Sequence, residues 1–89
     1  MKYPYMTLAD ETEITHSEMM PNGQVEIFIE TPVPNGFHSV KCILPAYVWT
    51  DNQGYSDRDL AYFRKLVKNN AHLILEYSQK GGVLGATAI

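Results

Sequence analysis

The stretch that decides the fold is residues 56–80, SDRDLAYFRKLVKNNAHLILEYSQK. Apolar side chains recur in it three and four positions apart, which places them on one face of a helix. The members of this face are Leu60, Phe63, Val67, Ala71 and Ile74. The opposite side carries polar and basic side chains, among them Arg64, Lys65 and Lys68. The pattern predicts one long amphipathic helix that covers an apolar surface formed by the rest of the chain.

This helix has a start signal and a stop signal. Ser56 is a good N-cap residue, and Asp59 three positions later approximates the capping box. Gly81 is suited to the left-handed conformation that often follows the last turn of a helix. Asn70 interrupts the apolar stripe near its middle, which predicts a bend or a buried polar contact there.

Length and composition favour one small globular domain, residues 1–89. An apolar fraction of 45% and a net charge of −3 argue against a mostly disordered chain. No run approaches the ~20 apolar residues of a membrane span, and residues 1–11 lack the apolar segment of a signal peptide. With a single cysteine, Cys42, the chain is expected in the cytoplasm.

Residues 11–45 are predicted to form an antiparallel sheet. The tripeptide Pro-Asn-Gly occurs at 21–23 and again at 34–36, and it favours tight turns. Residues 24–31 alternate apolar and polar side chains, as a half-buried strand does. The predicted fold is α+β, a three-stranded antiparallel meander packed on one long C-terminal helix, with a possible extra C-terminal strand.

The second turn sets the register of the last two predicted strands. A loop of two or four residues builds one apolar face for the helix to cover, whereas a loop of three mixes the faces. In that register, Val40, Cys42 and Leu44 line up with Val25, Ile27 and Ile29. The first hairpin leaves two registers open. The core side carries Ile14, His16, Glu18 and Met20 in one register, and Thr15, Ser17 and Met19 in the other.

Three segments fall outside the predicted sheet and helix. Residues 1–10 lead into the sheet, and Pro4 there argues against a central strand. Residues 46–55 are predicted to be a loop, because they mix aromatic side chains with turn formers. Residues 81–89 are an uncharged apolar tail that could add a strand, pack on the core or contact a neighbouring chain.

No catalytic residue, metal site or cofactor is predicted. The histidines His16, His38 and His72 lack the spacing typical of metal ligands. A nucleophilic Cys42 would need a histidine within hydrogen-bond reach, and a central strand separates it from His16. A small residue between apolar neighbours, Cys42 is expected in the core instead.

Charge is unevenly distributed along the chain. Residues 1–54 carry seven carboxylates and two lysines, a balance of −5, whereas residues 55–89 carry five basic and three acidic side chains, a balance of +2. Solvated faces explain this most simply. The alternative is an acidic surface for a basic partner, or a dimer that pairs sheet with helix. An acidic domain with one weakly basic helix is a poor nucleic-acid binder.

Nine residues are candidates for an interaction surface. Phe28 lies among charged side chains on the sheet face away from the helix, and the apolar tail supplies Val83 and Leu84. The other six are three aromatic side chains that could line a groove or cap the core, and a basic cluster on the helix: Tyr47, Trp49, Tyr55, Arg64, Lys65 and Lys68.

Three stretches resemble a group of small bacterial proteins to which no activity is attached. They are KYPYMTLADETEITHSE at residues 2–18, GFHSVKCILPAYVW at residues 36–49 and AHLILEYSQKGG at residues 71–82. The resemblance covers nearly the full length. It implies a cytoplasmic bacterial accessory protein and supplies no catalytic residue.

The sequence therefore predicts a non-catalytic protein that acts through self-association or a protein partner. It would use the open sheet face, an exposed strand edge or the apolar tail. One alternative is a small-molecule binder or small enzyme that uses residues 46–55 with His16 or His38. The other is a weak nucleic-acid binder that uses the basic helix face.

Overall fold

The computed structural model describes residues 1–80, which form five strands and one helix. The strands make one antiparallel sheet in chain order, so each strand lies beside the next. The elements are β1 (Tyr3–Thr7), β2 (Glu13–His16), β3 (Val25–Val33), β4 (Gly36–Leu44), β5 (Val48–Gln53) and α1 (Asp57–Gln79). The α+β meander with a long final helix is confirmed.

The prediction of three strands is wrong, because the sheet has two more. β1 lies in the leading segment, and β5 lies where a loop was expected in residues 46–55. Both are outer strands, which bury only part of one face and therefore show a weak apolar alternation. The predicted Gly81 cap and the possible extra strand in residues 81–89 lie outside the described residues.

The predicted register of the second hairpin is confirmed. Val33 pairs with Gly36, so residues 34–35 form a two-residue loop. The apolar pairs that follow are Val25 with Leu44, Ile27 with Cys42 and Ile29 with Val40. All six side chains are buried beneath the helix and form the centre of the core.

The first hairpin takes the register that places Ile14 and His16 on the core side. Ile14 pairs with Ile29 and His16 with Ile27, and both Ile14 and His16 are buried. Thr15 lies on the opposite, open face. The apolar face of β3 decides between the two registers, because it can be continued on β2 only by Ile14.

α1 begins as predicted, and it buries the predicted face except for Leu60, which is half-buried. The Ser56 side chain accepts from the Asp59 amide, and the Asp59 carboxylate accepts from the Ser56 amide, which completes the capping box. The helix buries one continuous stripe, comprising Phe63, Val67, Ala71, Ile74 and Ser78. The helix runs unbroken from Asp57 to Gln79. Asn70 makes a polar contact: it donates to the Leu66 carbonyl and accepts from the Tyr5 hydroxyl at 2.7 Å.

A buried polar contact joins the last turn of the helix to β2. His16 Nδ1 lies 2.7 Å from the Ser17 carbonyl and 3.0 Å from Ser78 Oγ. A carbonyl oxygen only accepts, so Nδ1 carries the hydrogen. Ser78 Oγ donates to the Ile74 carbonyl, which leaves it free to accept from the ring. The Met19 amide adds a bond to the Ser78 carbonyl. These bonds fix the end of α1 over the β2 side of the sheet.

Both outer strands are poorly suited to pairing with another strand. β1 contains Pro4, which has no amide hydrogen, and a bulge between Pro4 and Met6. β5 is bulged opposite Ser39–Lys41, where Asp51 has a positive φ of 57°. Bulges and proline are devices that protect a sheet edge. The hypothesis that the protein interacts through an exposed strand edge therefore loses support for both β1 and β5.

Gly54 sits where two constraints coincide, and this allows a stability test. Its φ is +100°, and a Cβ there would overlap the His38 ring. We expect Gly54→Ala to lower the free energy of unfolding by about 2 kcal/mol or more. Gly23→Ala is the matched control, because Gly23 has φ +83° and open space around it. Urea unfolding gives the fall in the free energy of unfolding for both variants, and the difference between them is the cost of the overlap with His38. Equal falls in the two variants would contradict the close approach of Gly54 to His38.

Candidate functional site

A groove lies between β5 and α1 at the outer side of the sheet. Its lining residues in the described chain are Tyr47, Trp49, Arg64 and Lys68, and its volume is about 360 Å³. We call it the aromatic–basic groove. Two aromatic rings from one wall and two cationic side chains from the other make it suited to an anionic ligand that also carries apolar surface.

The aromatic wall follows from the position of β5. Trp49 pairs with Cys42, a buried residue of the helix-covered face, so Trp49 also points to the helix side. Because β5 is the outermost strand, α1 covers Trp49 only in part. Tyr47 precedes the strand and is 40% exposed. The two rings therefore line an open groove beside the core.

Tyr47 has an unusual backbone. Its φ is 58°, in the left-handed region that bulky side chains seldom occupy. Such a conformation costs of order 1–3 kcal/mol and is concentrated at functional sites. Tyr47 is packed only in part, because 40% of its surface is exposed. A positive φ at a partly exposed aromatic residue makes Tyr47 a candidate for contact with a ligand.

The basic wall comes from two helical positions one turn apart. Arg64 and Lys68 lie on the same side of α1, since residues four apart share a face. Within residues 1–80 neither forms an ion pair shorter than 4.0 Å. Both charges are thus available to an anion from outside. Lys65 is exposed on the same helix but does not line the groove.

Tyr55 belongs to the core rather than to this groove. It is 8% exposed, and its ring packs edge-on against Phe63 with the centroids 4.9 Å apart. Its hydroxyl lies 2.8 Å from Thr31 Oγ1, which in turn lies 2.6 Å from Thr12 Oγ1. Burial raises the pKa of the Tyr55 hydroxyl, while the bond to Thr31 acts in the opposite direction. The structure thus separates Tyr55 from Tyr47 and Trp49.

Phe28 lies on the open face of the sheet and is covered by lysines. Lys2 Nζ is 4.2 Å from the centre of its ring, and Lys41 Nζ is 5.6 Å away. Lys2 also pairs with Glu30 at 3.9 Å, and Lys41 pairs with Glu26 at 3.4 Å. These contacts bring the lysine side chains over an apolar ring. Phe28 therefore needs no partner to account for its position.

The residues weighed for catalysis or metal binding do not converge. His16 and Cys42 are both buried, and Ile27 of β3 pairs with each from opposite sides. His38 packs against Tyr55, and His72 is exposed on the helix. In the described part of the chain, no three His, Cys, Asp or Glu side chains are placed to share a metal ion. Val83 and Leu84 lie outside it.

A second surface was missed by the sequence reasoning. Phe37, the residue after the second turn, is 65% exposed. It borders a depression of about 490 Å³ with Pro32 and three carboxylate residues, Glu11, Glu13 and Glu30. The available signal was register: Phe37 follows Gly36 on the face opposite Val40 and Cys42, so it cannot enter the core.

Comparison with protein-family models, curated proteins and solved structures yields no match. The helix that the structure describes is not apolar enough along its length to cross a membrane. The chemistry of the groove is therefore the basis for the functional assignment.

Proposed function

We propose that this protein is a non-catalytic interaction module that binds an anionic segment of a partner protein in the aromatic–basic groove. The single observation that supports it is the pairing of two partly exposed aromatic rings with two cations that lack an ion-pair partner within residues 1–80. An aromatic or aliphatic side chain would stack on Tyr47 and Trp49, and neighbouring carboxylates would pair with Arg64 and Lys68.

A peptide-like ligand suits this groove better than a buried small molecule. The groove is open and lies at the surface, whereas small-molecule sites enclose most of the ligand. Hot spots of protein interfaces are rich in tryptophan, tyrosine and arginine, and these are three of the four residue types that line the groove. We place the protein in the cytoplasm as part of this proposal, because its single cysteine, Cys42, is a buried free thiol.

Nucleic-acid binding is the second reading of the same groove, because bases also stack on aromatic rings. Against it stands the charge of the chain, −3 overall. Affinity for nucleic acid depends on neutralising many phosphates, and the groove has two cations. A short single-stranded oligonucleotide therefore serves as the competing probe in the experiment.

Tryptophan fluorescence reports on this groove without an added label, because Trp49 is the single tryptophan of the chain. We expect a peptide of two glutamates, a phenylalanine and two glutamates to change Trp49 emission saturably. Arg64→Ala with Lys68→Ala should weaken binding about tenfold or more, and about 0.5 M salt should weaken it as well. Lys65→Ala is the matched control, with an expected change of less than about twofold.

If Lys65→Ala weakened binding of the peptide and the Arg64→Ala, Lys68→Ala double variant did not, the proposal would be contradicted. It would also be contradicted if millimolar peptide did not saturate the change in Trp49 emission. Saturation by the oligonucleotide without response to the peptide would favour the second reading. Tyr47→Asn separates function from folding, because asparagine tolerates a positive φ better than tyrosine. We expect it to weaken peptide binding while leaving the free energy of unfolding unchanged or about 1 kcal/mol higher.

A further inference from the structure

Phe37 and the carboxylates beside it form a surface whose charge is opposite in sign to that of the aromatic–basic groove. The Phe37 surface comprises Phe37, Pro32, Glu11, Glu13 and Glu30. Glu11 and Glu13 are exposed, and neither has an ion pair shorter than 4.0 Å among residues 1–80. The surface thus offers an exposed aromatic ring with free negative charge next to it. This is the combination that the aromatic–basic groove is suited to bind.

We propose that the partner segment is supplied by a second copy of this chain, whose Phe37 enters the aromatic–basic groove. This inference rests on the proposed function and names its ligand. Phe37 of one copy stacks on Tyr47 and Trp49 of the next. Glu11 and Glu13 of the first copy then lie near Arg64 and Lys68, so that charges unpaired in one molecule are paired between two.

The fold excludes the same contact within one molecule. Phe37 follows the β3–β4 turn, on the open face of the sheet. Tyr47 lies in the β4–β5 turn and Trp49 follows it, at the opposite end of β4, and Trp49 faces the helix side. The two surfaces therefore lie at opposite ends and on opposite faces of the sheet. A contact of this kind joins different patches of the two copies and repeats head to tail.

Side chains, rather than strand addition, are expected to make this contact. The two-residue loop fixes Val33 and Gly36 as a hydrogen-bonded pair, and bonding then alternates along β4. The bond from the Ser17 amide to the Glu26 carbonyl fits this alternation. On β5, Trp49 is then the residue whose backbone groups point outwards before the bulge at Asp51. One such residue gives too little pairing for a stable added strand.

Two variants of the full chain test the inference by complementation. The first, Phe37→Ser with Glu13→Gln, keeps the groove and loses the Phe37 surface. The second, Arg64→Glu with Lys68→Glu, keeps the Phe37 surface and loses the groove. Sedimentation velocity from about 10 μM to about 1 mM should show the parent chain growing in mass with concentration. Each variant alone should stay monomeric, and far-ultraviolet circular dichroism should show that both are folded.

A mixture of the two variants is the decisive sample. We expect a 1:1 complex that grows no further, because one intact groove meets one intact Phe37 surface and the other ends are blocked. A monomeric parent chain at millimolar concentration would overturn the inference, as would a mixture no heavier than its components. If the glutamate–phenylalanine peptide still binds the groove of a monomeric parent chain, the proposed function stands and only the identity of the partner is wrong.

Discussion

Replacing His16 with alanine is expected to lower the free energy of unfolding by about 3 kcal/mol. The imidazole is fully buried, and its removal leaves a cavity beside Tyr5 and the last turn of α1. The Ser17 carbonyl also loses its bond to the ring. The contact with Ser78 joins residues 62 positions apart. Its loss therefore weakens the attachment of the helix to the sheet, in addition to the local loss of packing in the core.

Two further variants isolate the causes of this loss. His72→Ala is the matched control: His72 is exposed on α1, so its removal should change stability by about 0.5 kcal/mol or less. His16→Asn keeps an N–H donor near the position of Nδ1 and should recover about 1 kcal/mol relative to alanine. Urea unfolding measures all three. A His16→Ala loss as small as that of His72→Ala would show that the buried contact is not formed.

Cys42 is expected to be almost inert in the folded protein and to make the fold sensitive to alkali. Burial raises the pKa of the Cys42 thiol from its ordinary 9.0 to about 11. Two pKa units lower the thiolate fraction at about pH 8 by roughly 100-fold, and the thiolate is the reactive form. The side chain is also fully buried. Reaction with a thiol-specific disulfide reagent should therefore be at least about 100-fold slower in the folded chain than in guanidinium.

The same shift predicts how stability depends on pH. Between about pH 9 and pH 11 the unfolded chain releases the thiol proton while the folded chain retains it, so the free energy of unfolding falls as pH rises. Each pKa unit corresponds to about 1.4 kcal/mol. Burial also raises the pKa of the Tyr5 and Tyr55 hydroxyls, which acts in the same direction above about pH 10.

Cys42→Ala is the control for the alkaline effect. It removes the titrating thiol, so its urea midpoint should fall less steeply above about pH 9 than that of the parent chain, although its stability at neutral pH is lower. Parallel pH profiles for the two proteins would contradict a buried thiol. Rapid labelling of Cys42 in the folded parent chain would contradict it independently.

The position of the groove follows from how the fold distributes its polar contacts. Tyr5 and His16, on the β1 and β2 side of the sheet, both hydrogen-bond to helix residues. On the β5 side, Trp49 meets Arg64 and Lys68 across an open groove. The helix is thus tied to one side of the sheet and leaves the other accessible.

The candidate residues could be named from the sequence, but their grouping could not. Tyr47, Trp49, Arg64 and Lys68 stand out as exposed aromatic and basic types, and the structure brings these four together. Tyr55 is a candidate from the sequence for the same reason as Tyr47, its aromatic side chain in residues 46–55. In the structure, however, its hydroxyl lies beside Thr31 and its ring lies in the core. These tyrosines are eight positions apart in the chain, and no local pattern shows that β5 lies between them.

What the sequence by itself determined is local. The spacing of apolar side chains specifies α1, Ser56 specifies where it begins, and the turn at residues 34–36 specifies the β3–β4 register, because each depends on residues near one another in the chain. Tertiary structure alone decided the rest. The two outer strands, the inward position of His16 and the groove depend on contacts between distant segments. Such contacts form only when one face of the sheet is buried beneath the helix. The periodicity of side chains along a short segment does not predict them.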